Sequence, residues 1–177
     1  APQHFGVSAA YAPPAKGQAP GWYRMQLGAF EVTALSDGTV DLSVDKLLTN
    51  TTPDRVAGLL ARAYLKAPVE TSVNGYLINT GAKLVLIDAG AAGLFGPTLG
   101  RLVKNLEASG YKPEQVDEIY VTHLHADHLS GGPALGQGDH IPYHLHPYDA
   151  IHPMDMLPAR IAYRPLEAEQ VFRVGSA

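Results

Sequence analysis

The residues best suited to chemistry in this sequence form one short cluster. Three histidines and one aspartate lie within six residues: His123, His125, Asp127 and His128. The apolar run before them, residues 119–121, predicts a short buried strand, and the Gly-Gly-Pro at 131–133 predicts a loop after them. We therefore expect the cluster at the C-terminal end of a strand. Imidazoles and a carboxylate at this density indicate a metal site, most simply for zinc.

The spacing within the cluster suggests how the four side chains would divide between two ions. In an extended segment side chains alternate, so His123 and His125 would project to the same side and bind one ion. A turn after them would direct Asp127 and His128 toward a second position, and two-metal hydrolases hold their ions roughly 3.5–4 Å apart. The alternative, a group of ordinary surface histidines, fits this specific pattern poorly.

The pattern His-x-His-x-Asp-His resembles the signature of the metallo-β-lactamase superfamily. Residues 84–90, Leu-Val-Leu-Ile-Asp-Ala-Gly, also resemble the strand of that family that ends in Asp-x-Gly. The resemblance implies that Asp88 takes part in catalysis by orienting a metal ligand from behind. It implies that Asp127 is a catalytic residue that binds the second ion.

Within the superfamily, the chain is similar to the methyl parathion hydrolase group, dizinc enzymes that cleave organophosphates. The similarity covers about residues 23–132, including 30–39, 45–53 and 74–79. It implies an α/β fold, the αββα sandwich, of which we expect the N-terminal half plus a shortened, irregular C-terminal segment. It also implies two Zn²⁺ ions, or one if the site is incomplete.

The tail, residues 133–177, departs from that family. Its segment His144-Leu-His-Pro-Tyr weakly resembles the family's final ligand segment, which would make His144 a metal ligand. The other histidines there are His140, His146 and His152. A polar, histidine-rich surface segment remains the alternative for all of them.

The resemblance also suggests the walls of a substrate pocket. Apolar candidates are Leu42, Leu94 and Phe95, although Phe95 could equally belong to the core. The glycine-rich loop at 90–96 lacks the Gly-Lys-Ser/Thr ending of a P-loop and the spacing of a dinucleotide site, so we interpret it as a turn.

Composition excludes several function classes. The formal net charge of -4 gives no reason to expect nucleic-acid binding, and no apolar run approaches the roughly 20 residues that span a bilayer. There is no cysteine, so disulfides and thiolate ligands are excluded. We expect no signal peptide in this sequence. The resemblance implies a periplasmic or secreted protein, a small-molecule ester as partner, and leaves a homodimer open.

The remaining pattern predicts one domain over 22–177, preceded by an irregular, proline-rich arm at 1–21. We expect a hairpin from strands at 22–27 and 30–35, a turn at 36–38 and two further strands at 70–79 and 83–88. Helices are expected from Thr52 to about 63, with Val56, Leu59, Leu60 and Ala63 buried, and over 97–108, with a helical turn at 113–118.

The predicted function is zinc-dependent hydrolysis of a neutral ester by a metal-bound hydroxide. By resemblance the substrate is an organophosphate triester of the methyl parathion type. Two alternatives stay open: a lactone or carboxyl-ester hydrolase of the same superfamily, and a truncated, non-catalytic metal-binding fragment.

Overall fold

The structure is a computed structural model that describes residues 13–123, 125–135, 143–145 and 163–165. These residues contain a seven-stranded mixed sheet in which spatial order follows chain order. Its strands are β1 (Trp22–Leu27), β2 (Phe30–Leu42), β3 (Val69–Asn79), β4 (Leu84–Ile87), β5 (Glu118–Tyr120), β6 (Tyr143–Leu145) and β7 (Tyr163–Pro165). Strands β1 to β4 pair antiparallel, and β4 to β7 pair parallel.

Helices connect and cover the strands. They are α1 (Val44–Leu47), α2 (Pro53–Arg62), α3 (Leu102–Ala108), α4 (Ala126–Leu129) and α5 (Gly132–Leu135), with a 3₁₀ turn at Pro113–Gln115. Within the described ranges, none of these helices is long and apolar enough to cross a membrane. Residues 13–21 contain no helix or strand, and residues 1–12 of the expected arm lie outside the described part, so the division at residue 21 stays a prediction.

The predicted hairpin is confirmed, but the predicted turn at 36–38 is wrong. Strand β2 continues through this segment, and its pairing with β3 shifts register between Ser36 and Gly38. The shift turns the Asp37 carboxylate inward, where it accepts hydrogen bonds from the N–H groups of Ala91 and Leu102, both at 2.9 Å. A Ser-Asp-Gly sequence that usually marks a turn therefore forms a bulge inside a strand.

Helix α2 begins and ends as the sequence predicts. The Thr52 hydroxyl accepts a hydrogen bond from the Arg55 N–H at 3.3 Å, and Pro53 occupies the first turn. The predicted buried stripe is largely wrong, because Val56 is buried whereas Leu59 is 54% exposed and Ala63 is also exposed. The helix packs against the short helix α1, and Leu60 is only partly buried.

The central strand β4 and helix α3 supply much of the core. Leu84 and Leu86 of β4 are buried together with Leu102 and Leu106 of α3, as the continuous apolar run of β4 predicted. Helix α3 begins five residues later than expected, at 102 instead of 97. The preceding Gly100 has φ +82° and lies against the carbonyl of Ala92, so the backbone there cannot be helical.

The αββα prediction is supported in part. The described residues form an α/β arrangement with one sheet, whereas the full sandwich has two. In the buried core, Ile119 of β5 joins Leu129 and Leu135 from the helices that follow it. On β1, Tyr23, Met25 and Leu27 remain exposed.

Candidate metal centre

The candidate site lies where β4 and β5 end side by side. The two strands are parallel, so their C-terminal ends meet at one edge of the sheet. Asp88 directly follows β4, and its N–H donates to the carbonyl of Tyr120 at 2.9 Å. Thr122 and His123 follow β5. The strand before the histidines is thus present as predicted, and its neighbour delivers Asp88 to the same place.

The histidine segment is a tight turn rather than the extended stretch we expected. The His125 N–H donates to the His123 carbonyl at 3.0 Å, and the His128 N–H donates to the His125 carbonyl at 3.1 Å. Helix α4 then holds Asp127 and His128. The side chains of His123 and His125 therefore come together because the backbone bends, and not because strand residues alternate.

The turn gathers the imidazoles at one point. One ring nitrogen from each of His123, His125 and His128 lies within 4.8 Å of the other two. His123 Nε2 and His125 Nδ1 are 3.0 Å apart, and His128 Nε2 lies 3.5 Å from Asp127 Oδ2. Two ligand atoms of one tetrahedral zinc are separated by roughly 3.3 Å when metal–ligand distances are about 2.0–2.1 Å. Each pair therefore has about the spacing of two atoms that bind the same ion.

Behind these rings lies the carboxylate of Asp88. Its Oδ1 accepts the Thr122 N–H and its Oδ2 accepts the Thr122 hydroxyl, both at 2.8 Å. The same Oδ2 is 2.8 Å from His128 Nδ1. Asp88 has φ +58°, an unusual value for a residue with a side chain. The carboxylate is thus held in place by the end of the neighbouring strand. It lies near Nδ1 of His128, whereas Asp127 lies near Nε2 of the same ring.

Backbone hydrogen bonds join the two loops that carry the site. The N–H of Ala89 donates to the carbonyl of His128 at 2.7 Å, and the N–H of Gly131 donates to the carbonyl of Gly90 at 2.9 Å. Asp37 holds the next residue of the first loop, Ala91. Sequence analysis did not identify Asp37 or Thr122 as important residues. The only signal for Thr122 was its place beside the histidines, and Asp37 resembled a turn residue.

Comparison with known proteins agrees with this geometry. A family model described as the metallo-beta-lactamase superfamily matches residues 68–169, more than half of the chain. The chain belongs to the metallo-beta-lactamase superfamily. A search of curated proteins gave no significant match.

Solved structures show how far the likeness extends. The hydrolase AbOPH of the beta lactamase superfamily is 38% identical over 78% of this chain and 49% of its own, with a TM-score of 0.70. AidC, a dizinc quorum-quenching lactonase, is 24% identical over 63% and 38%, with a TM-score of 0.58. A quorum-quenching N-acyl homoserine lactone lactonase is 22% identical over 77% and 56%, with a TM-score of 0.53. The two lactonases show the fold alone, and the chain spans about half the length of AbOPH.

His144, assigned as a superfamily ligand by resemblance, lies apart from the three-histidine group. It is in β6, its ring stacks on Tyr120 with centroids 4.4 Å apart, and its Nε2 is 4.0 Å from Glu118 Oε2. Its role as a ligand stays a prediction. His140, His146 and His152 lie outside the described residues.

The residues around His144 have shifted pKa values. Burial raises the pKa of Tyr120 to about 12, and the hydrogen bond to Glu118 and the charge of that carboxylate act in the same direction. For Glu118, burial acts to raise the pKa, but hydrogen bonds from Lys83 and Tyr120 and the charges of Lys83 and His144 outweigh it. The pKa of Glu118 is therefore lowered. Negative charge on Glu118 is favoured beside a neutral Tyr120.

The candidate pocket residues lie at the surface. Leu42, at the end of β2, is partly buried, whereas Leu94 is 58% and Phe95 is 48% exposed. Leu94 and Phe95 belong to a turn that begins after Ala91, in the loop that starts at Asp88. Phe95 is thus not a core residue. That these three side chains line the substrate pocket of a superfamily hydrolase stays a prediction.

Proposed function

We propose that this protein is a zinc-dependent hydrolase of a neutral ester, with an organophosphate triester as the preferred substrate. The observation that carries the proposal is the pair of adjacent ligand sets in the segment that follows β5, backed by the buried Asp88 carboxylate at the end of β4. A buried carboxylate against a ligand's second nitrogen is the arrangement that orients metal-binding histidines.

The residues divide naturally between two ions. His123 Nε2 and His125 Nδ1 would hold the first, and Asp127 and His128 Nε2 would hold the second. When bound, zinc supplies Lewis acidity and lowers the pKa of a water molecule to roughly 7. The carboxylate of Asp127 is 31% exposed, so it borders the solvent from which that water comes.

The protein's side chains would bind and orient the metal ions rather than attack the ester themselves. The sequence contains no cysteine, and the hydroxyl of Thr122, adjacent to His123, already donates to Asp88. Hydrolysis without a protein nucleophile fits a phosphotriester with a good leaving group, because an activated aryloxide needs no general acid. The exposed side chains of Leu94 and Phe95 would form apolar walls for the aryl group.

Two lines support a triester over a lactone. The sequence resembles the methyl parathion hydrolase group over about residues 23–132, and the match to the hydrolase AbOPH reaches 38% identity. The lactonases share the fold at 24% identity or less. Since one water-activating site can attack phosphorus or carbonyl carbon, the pocket walls decide between them.

The test is a substrate screen on the zinc-loaded protein. We expect cleavage of paraoxon-like triesters to exceed cleavage of aliphatic and N-acyl lactones, with two zinc ions per chain by elemental analysis. His123→Ala should abolish activity and reduce zinc content. Phe95→Ala should raise KM for aryl triesters at unchanged zinc content. Preferential lactone cleavage would favour the lactonase alternative, and one weakly held ion without hydrolysis would favour a non-catalytic metal-binding protein.

A further inference from the structure

The Thr122 hydroxyl has two hydrogen-bond partners, and together they determine the direction of each hydrogen bond. Its oxygen lies 2.8 Å from Asp88 Oδ2 and 3.1 Å from Nδ1 of the adjacent His123. A hydroxyl has one proton to donate, and an ionised carboxylate can only accept. The Thr122 proton therefore points to Asp88. The oxygen can then act only as an acceptor toward His123.

This direction determines where the His123 ring carries its own proton. A lone pair on Nδ1 would face the lone pairs of the Thr122 oxygen, so Nδ1 must carry the hydrogen. In the neutral imidazole the lone pair is then on Nε2. That nitrogen is the one that faces His125 Nδ1 at 3.0 Å, at the centre of the ligand cluster.

His128 is contacted by the same carboxylate without an intermediary. Its Nδ1 lies 2.8 Å from Asp88 Oδ2, although this buried nitrogen forms no hydrogen bond of regular geometry with the described residues. Its Nε2 lies 3.5 Å from Asp127 Oδ2. One oxygen atom of Asp88 thus lies against His128 and also accepts the Thr122 hydroxyl that faces His123.

We propose that Thr122 is a positioning residue for zinc: it transmits the orientation of Asp88 to His123 and holds His123 in the Nδ1–H tautomer. The inference rests on the proposed zinc binding and names the residue that prepares the first ligand pair. The Thr122 hydroxyl contacts neither the proposed substrate pocket nor a ligand nitrogen that faces the ion.

Thr122→Val isolates this role. Valine keeps the β-branched shape and the backbone N–H that donates to Asp88 Oδ1, and it removes only the hydroxyl. Thr122→Ser restores the hydroxyl on a smaller side chain. Thr71→Val is the matched control, since the Thr71 hydroxyl on β3 donates to the Val69 carbonyl, away from the cluster.

The experiment combines ring-nitrogen NMR with zinc titration of the full chain. In the metal-free protein, with its imidazoles neutral, long-range ¹H–¹⁵N spectra should show His123 as the Nδ1–H tautomer, and Thr122→Val should populate the Nε2–H form. Zinc affinity, measured against a competing chelator, should fall about 10–100-fold in Thr122→Val, as for other residues that orient ligands. Thr122→Ser and Thr71→Val should stay close to wild type.

The outcomes separate this inference from the proposed function. Wild-type protein that binds no zinc would contradict the proposed function. Wild-type protein that binds zinc with His123 in the Nε2–H form, or a Thr122→Val variant with wild-type affinity, would overturn the role of Thr122 alone. If Thr122→Val does not fold, the wild-type tautomer together with the Thr122→Ser affinity decides the matter.

Discussion

Asp88 Oδ2 and His128 Nδ1 lie 2.8 Å apart, although one residue directly follows β4 and the other lies in α4 after β5. Parallel pairing of β4 with β5 aligns the two strand ends, and the hydrogen bond from Ala89 N–H to the His128 carbonyl fixes their separation. The contact leaves His128 Nε2 directed toward Asp127. An acidic residue far away in sequence thereby becomes part of the candidate metal centre.

Asp88→Asn should lower zinc affinity about 10–100-fold, because the amide keeps the shape but loses the charge that orients His128. Zinc affinity is measured by chelator competition, with folding checked by circular dichroism. Asp41→Asn, at an exposed position on β2, is the control and should leave affinity unchanged. If Asp88→Asn binds zinc as tightly as wild type, Asp88 is merely a residue of the turn.

Gly131→Ala should disturb the loop that follows helix α4, which carries Asp127 and His128. A Cβ at this position would overlap the carbonyl oxygen of Ala89, so the loop that follows α4 could not approach the end of β4. We expect lower zinc content and a lower melting temperature. Gly93→Ala is a matched control, because a Cβ there meets no atom within 4 Å, and it should behave as wild type. Full zinc binding by Gly131→Ala would show that the loop can shift without harm.

Asp37→Ala should destabilise the fold rather than change metal chemistry directly. The substitution leaves the buried N–H groups of Ala91 and Leu102 without their acceptor, at a cost of about 1–3 kcal/mol each. Urea unfolding of the metal-free protein measures the loss. An Asp41→Ala control should change the free energy of unfolding by less than about 0.5 kcal/mol. Equal stability of both variants would contradict the proposed role of Asp37.

Tyr120→Phe should change how stability depends on alkaline pH. The pKa of Tyr120 is raised from 10.0 to about 12 in the folded protein. Its contribution to stability is therefore complete below pH 10 and lost as pH rises through 12. Urea unfolding at pH 9 to 12 should show a steeper loss for wild type than for Tyr120→Phe. Tyr23→Phe, at an exposed position of β1, should keep the wild-type slope. Parallel profiles for wild type and Tyr120→Phe would contradict the shift.

Local sequence patterns were enough to predict several elements and to locate the cluster. The alternation on β1 and β2, the Thr52-Pro53 start of α2 and the apolar run of β4 all correspond to observed elements. Each depends on neighbours within a few residues, which propensity and capping describe directly. His123, His125, Asp127 and His128 could be identified because they too are close in sequence.

Only the tertiary structure showed which residues support the histidine cluster from other parts of the chain. Asp37 became a buried acceptor for Ala91 and Leu102, and Ser-Asp-Gly formed a bulge where the local pattern predicted a turn. The hydroxyl of Thr122 acquired its direction from Asp88, which the chain reaches only through the parallel pairing of β4 and β5. A single side chain has several possible hydrogen-bond partners. Strand order and register determine which of them comes within 3 Å, and neither is encoded in the few residues around it.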